Sequence, residues 1–267
     1  MQTVLTIAGF DPSSGAGITA DLMVFAAHGL FGTSCITALT VQSTTGVRGI
    51  EAVAAETVAS TLECLEGDLA PAGIKLGMLA GGDTVGVVAE FLSAMRRRGR
   101  RVPVVLDPVI RSSSGGELLD GAGVVALRDQ LLPLVDWITP NLEELGVLTG
   151  RKNLQREDLA ASARQLQQMC GELNVVVTGG HLTSPDDLLV TAAGEVLWLA
   201  GERIETRSTH GTGCAFSSAL LSRLVLGEGA PAAVRGAKQY VAEAIRTATP
   251  IGQGFGPINH LWPLTPK

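Results

Sequence analysis

The sequence predicts an α/β fold: a three-layer α/β/α sandwich around a mainly parallel central sheet, in a single domain covering residues 1–267. Three observations predict it. Short apolar, β-branched runs recur along the chain without polar alternation, as in strands buried on both faces. Helical patterns separate them, the signature of crossover connections. No Pro/Gly/Ser-rich linker and no internal repeat divides the chain, and 267 residues at 46% hydrophobic content fill a substantial core.

In order, strands are expected at Thr3–Ala8, Thr33–Val41, Gly73–Leu76, Val102–Leu106, Trp137–Thr139 and Asn174–Thr178. Helices fall between them near Gly17–His28, Thr57–Leu65, Thr84–Met95, Gly123–Leu131, Leu142–Leu148 and Asp158–Cys170. After Thr178 the rhythm changes. Asp187–Thr191, Val196–Leu199 and Arg203–Thr206 read as short antiparallel strands at a sheet edge, followed by helices at Cys214–Leu226 and Pro231–Ala248. Gly227 ends the first of these and Pro231 suits the first turn of the second. The second carries one buried stripe: Val234, Ala237, Val241, Ile245 and Ala248. Residues 252–267 are rich in Gly and Pro and read as a non-helical tail, packed down by Phe255, Ile258, Leu261 and Trp262.

A net charge of −6 argues against a nucleic-acid or anionic-membrane surface. The basic cluster at residues 96–101 is accounted for as a cationic helix C-terminus. Met1–Ala8 reads directly as a strand rather than a signal peptide, and no apolar run is long enough to span a bilayer. Cys35, Cys64, Cys170 and Cys214 are scattered, which fits reduced thiols and a cytoplasmic location. His28, His181, His210 and His260 show no metal-ligand spacing.

In doubly wound sheets ligands bind where the strands end. Small or polar residues collect at those ends: Gly9–Gly17, Val41–Gly46, Gly77–Met78, Asp107–Gly116, Pro140–Glu144 and Gly179–Gly180. The most informative segment is Thr209-His210-Gly211-Thr212-Gly213-Cys214-Ala215, directly before a helical pattern. Unpaired N–H groups at a helix start, reinforced by the helix dipole, suit a phosphoryl group in transfer. Gly15-Ala16-Gly17-Ile18-Thr19-Ala20 resembles a dinucleotide fingerprint, but the second strand ends at Gln42 with no acidic residue for a ribose, so NAD binding is set aside. Gly-Lys occurs nowhere, which excludes a Walker A loop. A Cys–His hydrolase using Cys214 and His210 is a minor alternative, since Cys214 at a helix N-terminus is expected to have a lowered pKa.

With these segments assembled, the chain resembles the ribokinase-like superfamily, and within it the hydroxymethylpyrimidine/phosphomethylpyrimidine kinases of thiamine biosynthesis. The likeness is carried by residues 6–22, 36–47 and 74–79, by Val105–Val109, Thr139–Leu145 and Gly179–Leu182, by Thr209–Cys214, and by Gly254-Phe255-Gly256-Pro257. It implies transfer of the γ-phosphoryl of ATP, with Mg2+, to a pyrimidine hydroxymethyl group and then to the monophosphate. It also implies a homodimer. Asp21, Gln42, Met78, Gly9 and Phe10 would then serve the pyrimidine pocket. Asn141, Thr178, Thr209 and Lys238 would serve ATP, and Glu144 and Asp107 the metal. Gly211, Thr212 and Gly213 would cradle the migrating group, and Cys214 would stand where most of the superfamily has an Asp base.

Bland readings stand beside several of these. Asn141 and Glu144 also spell a capping box, Met78 also suits core packing, and Asp21 also suits a helix-dipole carboxylate. Phe10, Thr178 and Ser113 depart from the family pattern, the last two where many relatives have Lys. Loss of those two cations is expected to weaken the phosphate electrostatics unless Arg111, Lys75 or Lys238 compensates. Ser112–Glu117 is the candidate flap. The rival functions are a pyridoxal/pyridoxine kinase of the Cys-containing branch and a non-catalytic pyrimidine-binding protein.

Overall fold

The structure, a computed structural model, describes residues 1–112, 115–180, 182 and 184–264. The chain runs β1 (Thr3–Phe10), α1 (Gly17–Ala27), β2 (Phe31–Ser43), β3 (Gly46–Ala52), α2 (Ala55–Asp68), β4 (Ile74–Leu76), α3 (Gly82–Arg97) and β5 (Val104–Leu106). It continues with α4 (Gly121–Ala126), β6 (Trp137–Ile138), α5 (Leu142–Thr149), α6 (Leu159–Cys170), β7 (Asn174–Val177), β8 (Asp187–Val190) and β9 (Val196–Leu199). β10 (Ser208–His210), α7 (Thr212–Val225), α8 (Ala230–Arg246) and β11 (Gly256–Pro257) complete it.

Successive strand residues point to opposite faces of a sheet, and here both faces are apolar. Leu5, Ile7, Val104, Leu106, Val175 and Val177 join one core with the apolar sides of α2 to α6. Val4, Val105, Val176 and Leu189 join the other with α1, α7 and α8. The sheet between them has the order β3-β2-β1-β4-β5-β6-β7-β8-β9. In that order the six strands from β2 through β1, β4, β5 and β6 to β7 are parallel; β3 and β8 run against them, and β9, antiparallel to β8, runs with them again. This is the expected α/β/α sandwich. From β1 the chain moves outward to β2 and later returns on the other side to β4. The switch point is therefore between β1 and β4, and a crevice opens there at the strand C-termini.

Three expectations change. The loop expected at Val41–Gly46 is the tip of a hairpin: β2 runs on to Ser43 and pairs with β3. Its turn, Thr44-Thr45, lacks the Asn-Gly or Gly-Gly signal that marks two-residue hairpins. Arg203–Thr206 forms no strand, because the chain leaves the sheet edge there, and Arg203 donates instead to the Leu182 carbonyl at 2.6 Å. The strand forms just beyond, where β10 pairs with β11 in the tail. The tail does pack on the body through Ile258 and Trp262, but Phe255 is 63% exposed.

That tail stitches the rim together. The Phe255 N–H donates to the Thr44 carbonyl at the hairpin tip and the Gly256 N–H to the Arg207 carbonyl, both at 3.0 Å. His260 contacts the Gly15 carbonyl at 2.9 Å, so its Nε2 carries the proton. Burial lowers the His260 pKa, which keeps the ring neutral. The basic cluster acts as expected: Arg96 donates to the Pro133 and Leu134 carbonyls, and Arg98 and Arg100 pair with Glu66. No helix among the described residues is long and apolar enough to cross a membrane.

Phe25 is fully buried between α1, the sheet and α7. Phe25→Ala is expected to cost about 3–5 kcal/mol through the lost burial and the cavity left behind, read as a lower urea midpoint at unchanged slope. A cost below about 1 kcal/mol would mean that this face is not closely packed.

Candidate active site

The site is assembled by glycine contacts that no other residue permits. Gly211, the N-cap of α7, has φ +84°, and a Cβ placed there would lie 1.8 Å from the Gly15 carbonyl oxygen. Gly17 has φ +60°, and its Cβ would lie 2.3 Å from the Gly9 carbonyl oxygen. The loop after β1 is thus pressed, backbone on backbone, against the start of α7.

Asp11 locks that contact. Its Oδ2 accepts from the Ala16 N–H at 2.9 Å and from His210 Nε2 at 2.7 Å. Its Oδ1 accepts from the N–H and hydroxyl of Ser13 at 2.8 and 2.7 Å. Burial pushes the Asp11 carboxyl up, but hydrogen bonds from His210, Ser13 and Gln42 outweigh burial and hold it well below the usual carboxylate range. Sequence reasoning missed this residue. Asp-Pro-Ser-Ser is an Asx-turn signal, but a partner 199 positions away leaves no local trace. Through Asp11, Gln42 and the Gly211–Cys214 turn meet on one side of the crevice.

The first turn of α7 has no side-chain cap; Gly213 is exposed and Thr212 half-buried. Its backbone donors therefore face the crevice. A Cβ on Gly213 would lie 3.7 Å from Asp107 Oδ2. Asp107, at the end of β5, also accepts from the Ser217 hydroxyl at 3.3 Å. Glu144 and Asn141 form the capping box of α5: the Asn141 N–H donates to Glu144 Oε2, and the Glu144 N–H to Asn141 Oδ1, both at 2.9 Å. The capping pattern is therefore real, and the amide expected on phosphate is occupied at its oxygen. Burial raises Asp107 to about 6, with Lys75 opposing. Burial, then the charge of Asp107, raises Glu144 to about 8. Two buried carboxylates that disfavour each other's ionisation form a donor set that a hard cation would relieve.

The other expected residues fall on the same rim, with two exceptions. Met78, 8% exposed, covers Gly9 so closely that a Cβ there would lie 2.9 Å from its sulfur. Phe10 is half-buried beside them, its carbonyl held by the Thr40 hydroxyl at 3.0 Å. Thr178 bridges to Asn141, and Thr209 is exposed on β10. Asp21 does not line the pocket. It is fully buried, and Lys75, Thr6 and Ser218 occupy its oxygens. Lys238 does not point its ammonium at phosphates; it pairs with Asp187 and donates to the Pro185 carbonyl, both at 2.8 Å. Asp187 in turn accepts from the Gly179 N–H, so Lys238 braces the Gly179–Gly180 turn. Of the other cations that could compensate, Arg111 pairs with Glu143 at 3.4 Å and Lys75 is buried. Ser113 and His181 lie outside the described residues, as does the middle of the Ser112–Glu117 flap, whose ends bridge at Arg111 and Glu117.

Cys214 also departs from expectation. The Gly17 N–H favours its thiolate, yet burial pushes the thiol up to about 12, with Lys75 opposing and the charges of Asp107 and Asp21 adding to the rise. Burial beside carboxylates overrides the helix dipole, and the group is a thiol at neutral pH.

If the backbone contact orients the α7 donors, Gly211→Ala should leave a folded protein whose turnover falls at least about 100-fold, since a displacement near 1 Å has that effect. Wild-type kcat in a folded variant would show that the contact is incidental.

The chain is 42% identical over 265 residues to a hydroxymethylpyrimidine/phosphomethylpyrimidine kinase of Haemophilus influenzae, covering 97% of each. It is 39% identical over 260 residues to a thiamine biosynthesis bifunctional protein of Geobacter sulfurreducens, covering 97% of this chain and 52% of that longer protein, so it spans about half of that relative. Its fold matches the ADP complex of Bacillus subtilis pyridoxal kinase with a TM-score of 0.86 at 30% identity, over 97% of both chains. The phosphomethylpyrimidine kinase family profile matches residues 11–259, and the chain belongs to that family.

Proposed function

We propose that this kinase moves the γ-phosphoryl of ATP onto 4-amino-5-hydroxymethyl-2-methylpyrimidine, and a second phosphoryl onto the monophosphate, in thiamine biosynthesis. The observation that carries the reading is the open start of α7, set between Gln42 and Asp11 on one side and Asp107 and Glu144 on the other. Gln42 offers a donor and an acceptor to the edge of an aminopyrimidine. Met78 over Gly9, with Phe10 beside them, supplies an apolar slot for a flat ring. Thr178, Asn141 and Thr209 line the nucleotide side.

Asp107 and Glu144 would hold magnesium, and the ion would neutralise charge on the phosphates. The Thr212, Gly213 and Cys214 N–H groups are aimed at the group in flight. In a loose transition state the acceptor hydroxyl gives up its proton late, so a protonated Cys214 can position that hydroxyl without being a strong base. The reading includes a homodimer, since β2 and β3 leave Leu39, Val41 and Ile50 exposed. It also includes a cytoplasmic location, in keeping with four unpaired cysteines.

The chain is expected to release ADP with hydroxymethylpyrimidine and with its phosphate, and more slowly with pyridoxal. Equal turnover on pyridoxal would support the pyridoxal kinase reading, and no release with any of the three would leave a binding protein. Cys214→Ala should lose most turnover at nearly unchanged ATP affinity; near-normal kcat would remove Cys214 from the mechanism.

The raised carboxylates also set a pH dependence. Between their ordinary values and about 8, the native state binds more protons at Asp107 and Glu144 than the unfolded chain does, so their contribution to stability falls as pH rises. Mg2+ competes with those protons. It should therefore raise Tm at pH 8 and have little effect at pH 5; equal shifts at both would place the ion elsewhere.

A further inference from the structure

The crevice is rich in carboxylates. Asp11, Asp107 and Glu144 lie along it, and Glu143 stands beside Glu144 in the first turn of α5. A triphosphate still carries net negative charge after it binds magnesium, so this rim needs a cation that can reach the phosphates. Two basic side chains nearby are committed elsewhere. Lys75 is sealed against Asp21, and Lys238 is locked to Asp187 and the Pro185 carbonyl.

Arg111 differs from both. It lies four residues beyond Asp107, on the segment that leaves β5. The backbone there is fixed: the Ile110 carbonyl accepts from the Leu118 and Leu119 N–H groups at 2.9 and 3.2 Å, and Arg111 bridges to Glu117. The side chain is not fixed. Its closest approach to Glu143 is 3.4 Å, with the two side chains 53% and 63% exposed. The locked pair, Lys238 with Asp187, is at 2.8 Å and only 17% and 8% exposed. A long, solvated ion pair contributes little, so a better anion can displace Glu143. The pair also rests the guanidinium against the start of α5, next to Glu144 and close to Asn141 in sequence. The helix dipole disfavours a cation there and favours an anion.

We propose that Arg111 binds the triphosphate of ATP: its guanidinium leaves Glu143 and takes oxygens of the β- and γ-phosphates. The proposal rests on the reading of Asp107 and Glu144 as the magnesium side of a kinase site. Phosphate is the stronger partner because the planar guanidinium can donate two parallel N–H bonds to it at once. Glu143 is the resting partner, and it competes with the nucleotide for the same cation.

The test is calorimetric binding of MgADP to the full chain, which needs no turnover, with ATP KM measured alongside. In Arg111→Met, MgADP should bind at least about tenfold more weakly, as expected for lost charge-assisted hydrogen bonds, and ATP KM should rise in step. Adenosine, which has no phosphate, should bind within about twofold of its wild-type affinity. Arg111→Lys should recover part of the MgADP affinity. Glu143→Gln should bind MgADP about threefold more tightly, because the competitor is gone. Added to Arg111→Met, the same Glu143 substitution should change the affinity by less than about twofold.

MgADP affinity within about twofold of wild type in Arg111→Met would overturn the proposal. So would an equal weakening of adenosine, or weaker MgADP binding in Glu143→Gln, since both mark a merely structural pair. An equal gain from Glu143→Gln with and without Arg111 would also overturn it, by showing that Glu143 acts through repulsion alone. A wild-type chain that binds MgADP but phosphorylates none of the acceptors would sink the functional reading and leave this comparison intact. One that binds no MgADP would overturn both.

Discussion

Everything at the crevice depends on one close approach: the carbonyl of Gly15 against the α-carbon of Gly211. It brings the loop after β1 under the start of α7, although the two are far apart in sequence. Asp11 fastens it by bonding both its own loop and His210. The C-terminal tail fastens it again through His260 and the Gly15 carbonyl. With both sides pinned, the unpaired donors of α7 are fixed before any ligand arrives. Preorganised dipoles of this kind need no rearrangement as charge develops.

Around this scaffold, burial governs the chemistry. An exposed thiol at a helix start should ionise readily. Cys214 does not, because it is half-buried and faces Asp107 and Asp21 as well as Lys75. Asp107 and Glu144, both under 10% exposed, resist ionising together. Asp11 is also buried, yet it ionises, because four donors surround it. The number of hydrogen bonds reaching each carboxylate separates the group that stays charged from the groups suited to a cation.

The fold was legible because both sheet faces are covered, so the strands are continuous apolar runs that periodicity detects. The rim was legible in part, because glycines, Gln42 and the 209–214 segment cluster at strand ends. What escaped was set by distant partners. Nothing local to Asp21 or Lys238 reveals that Lys75 and Asp187 already occupy them. The β2–β3 hairpin was hidden by a Thr44-Thr45 turn with no glycine at its centre, and Asp11 by a partner near the other end of the chain. The Asn141–Glu144 spacing read as a metal and phosphate site, with a helix cap as the weaker alternative. The structure makes the cap, and the charge of Asp107 beside it keeps the second role open to the same carboxylate.

The central claim is that the Thr212, Gly213 and Cys214 N–H groups receive the migrating phosphoryl. The most direct measurement is a crystal structure with hydroxymethylpyrimidine, magnesium, ADP and aluminium fluoride, the last mimicking the group in flight. The fluoride should lie within hydrogen-bonding distance of those three N–H groups, between the nucleotide and the pyrimidine hydroxymethyl group. A fluoride bound at another helix start, with the first turn of α7 empty, would contradict the account.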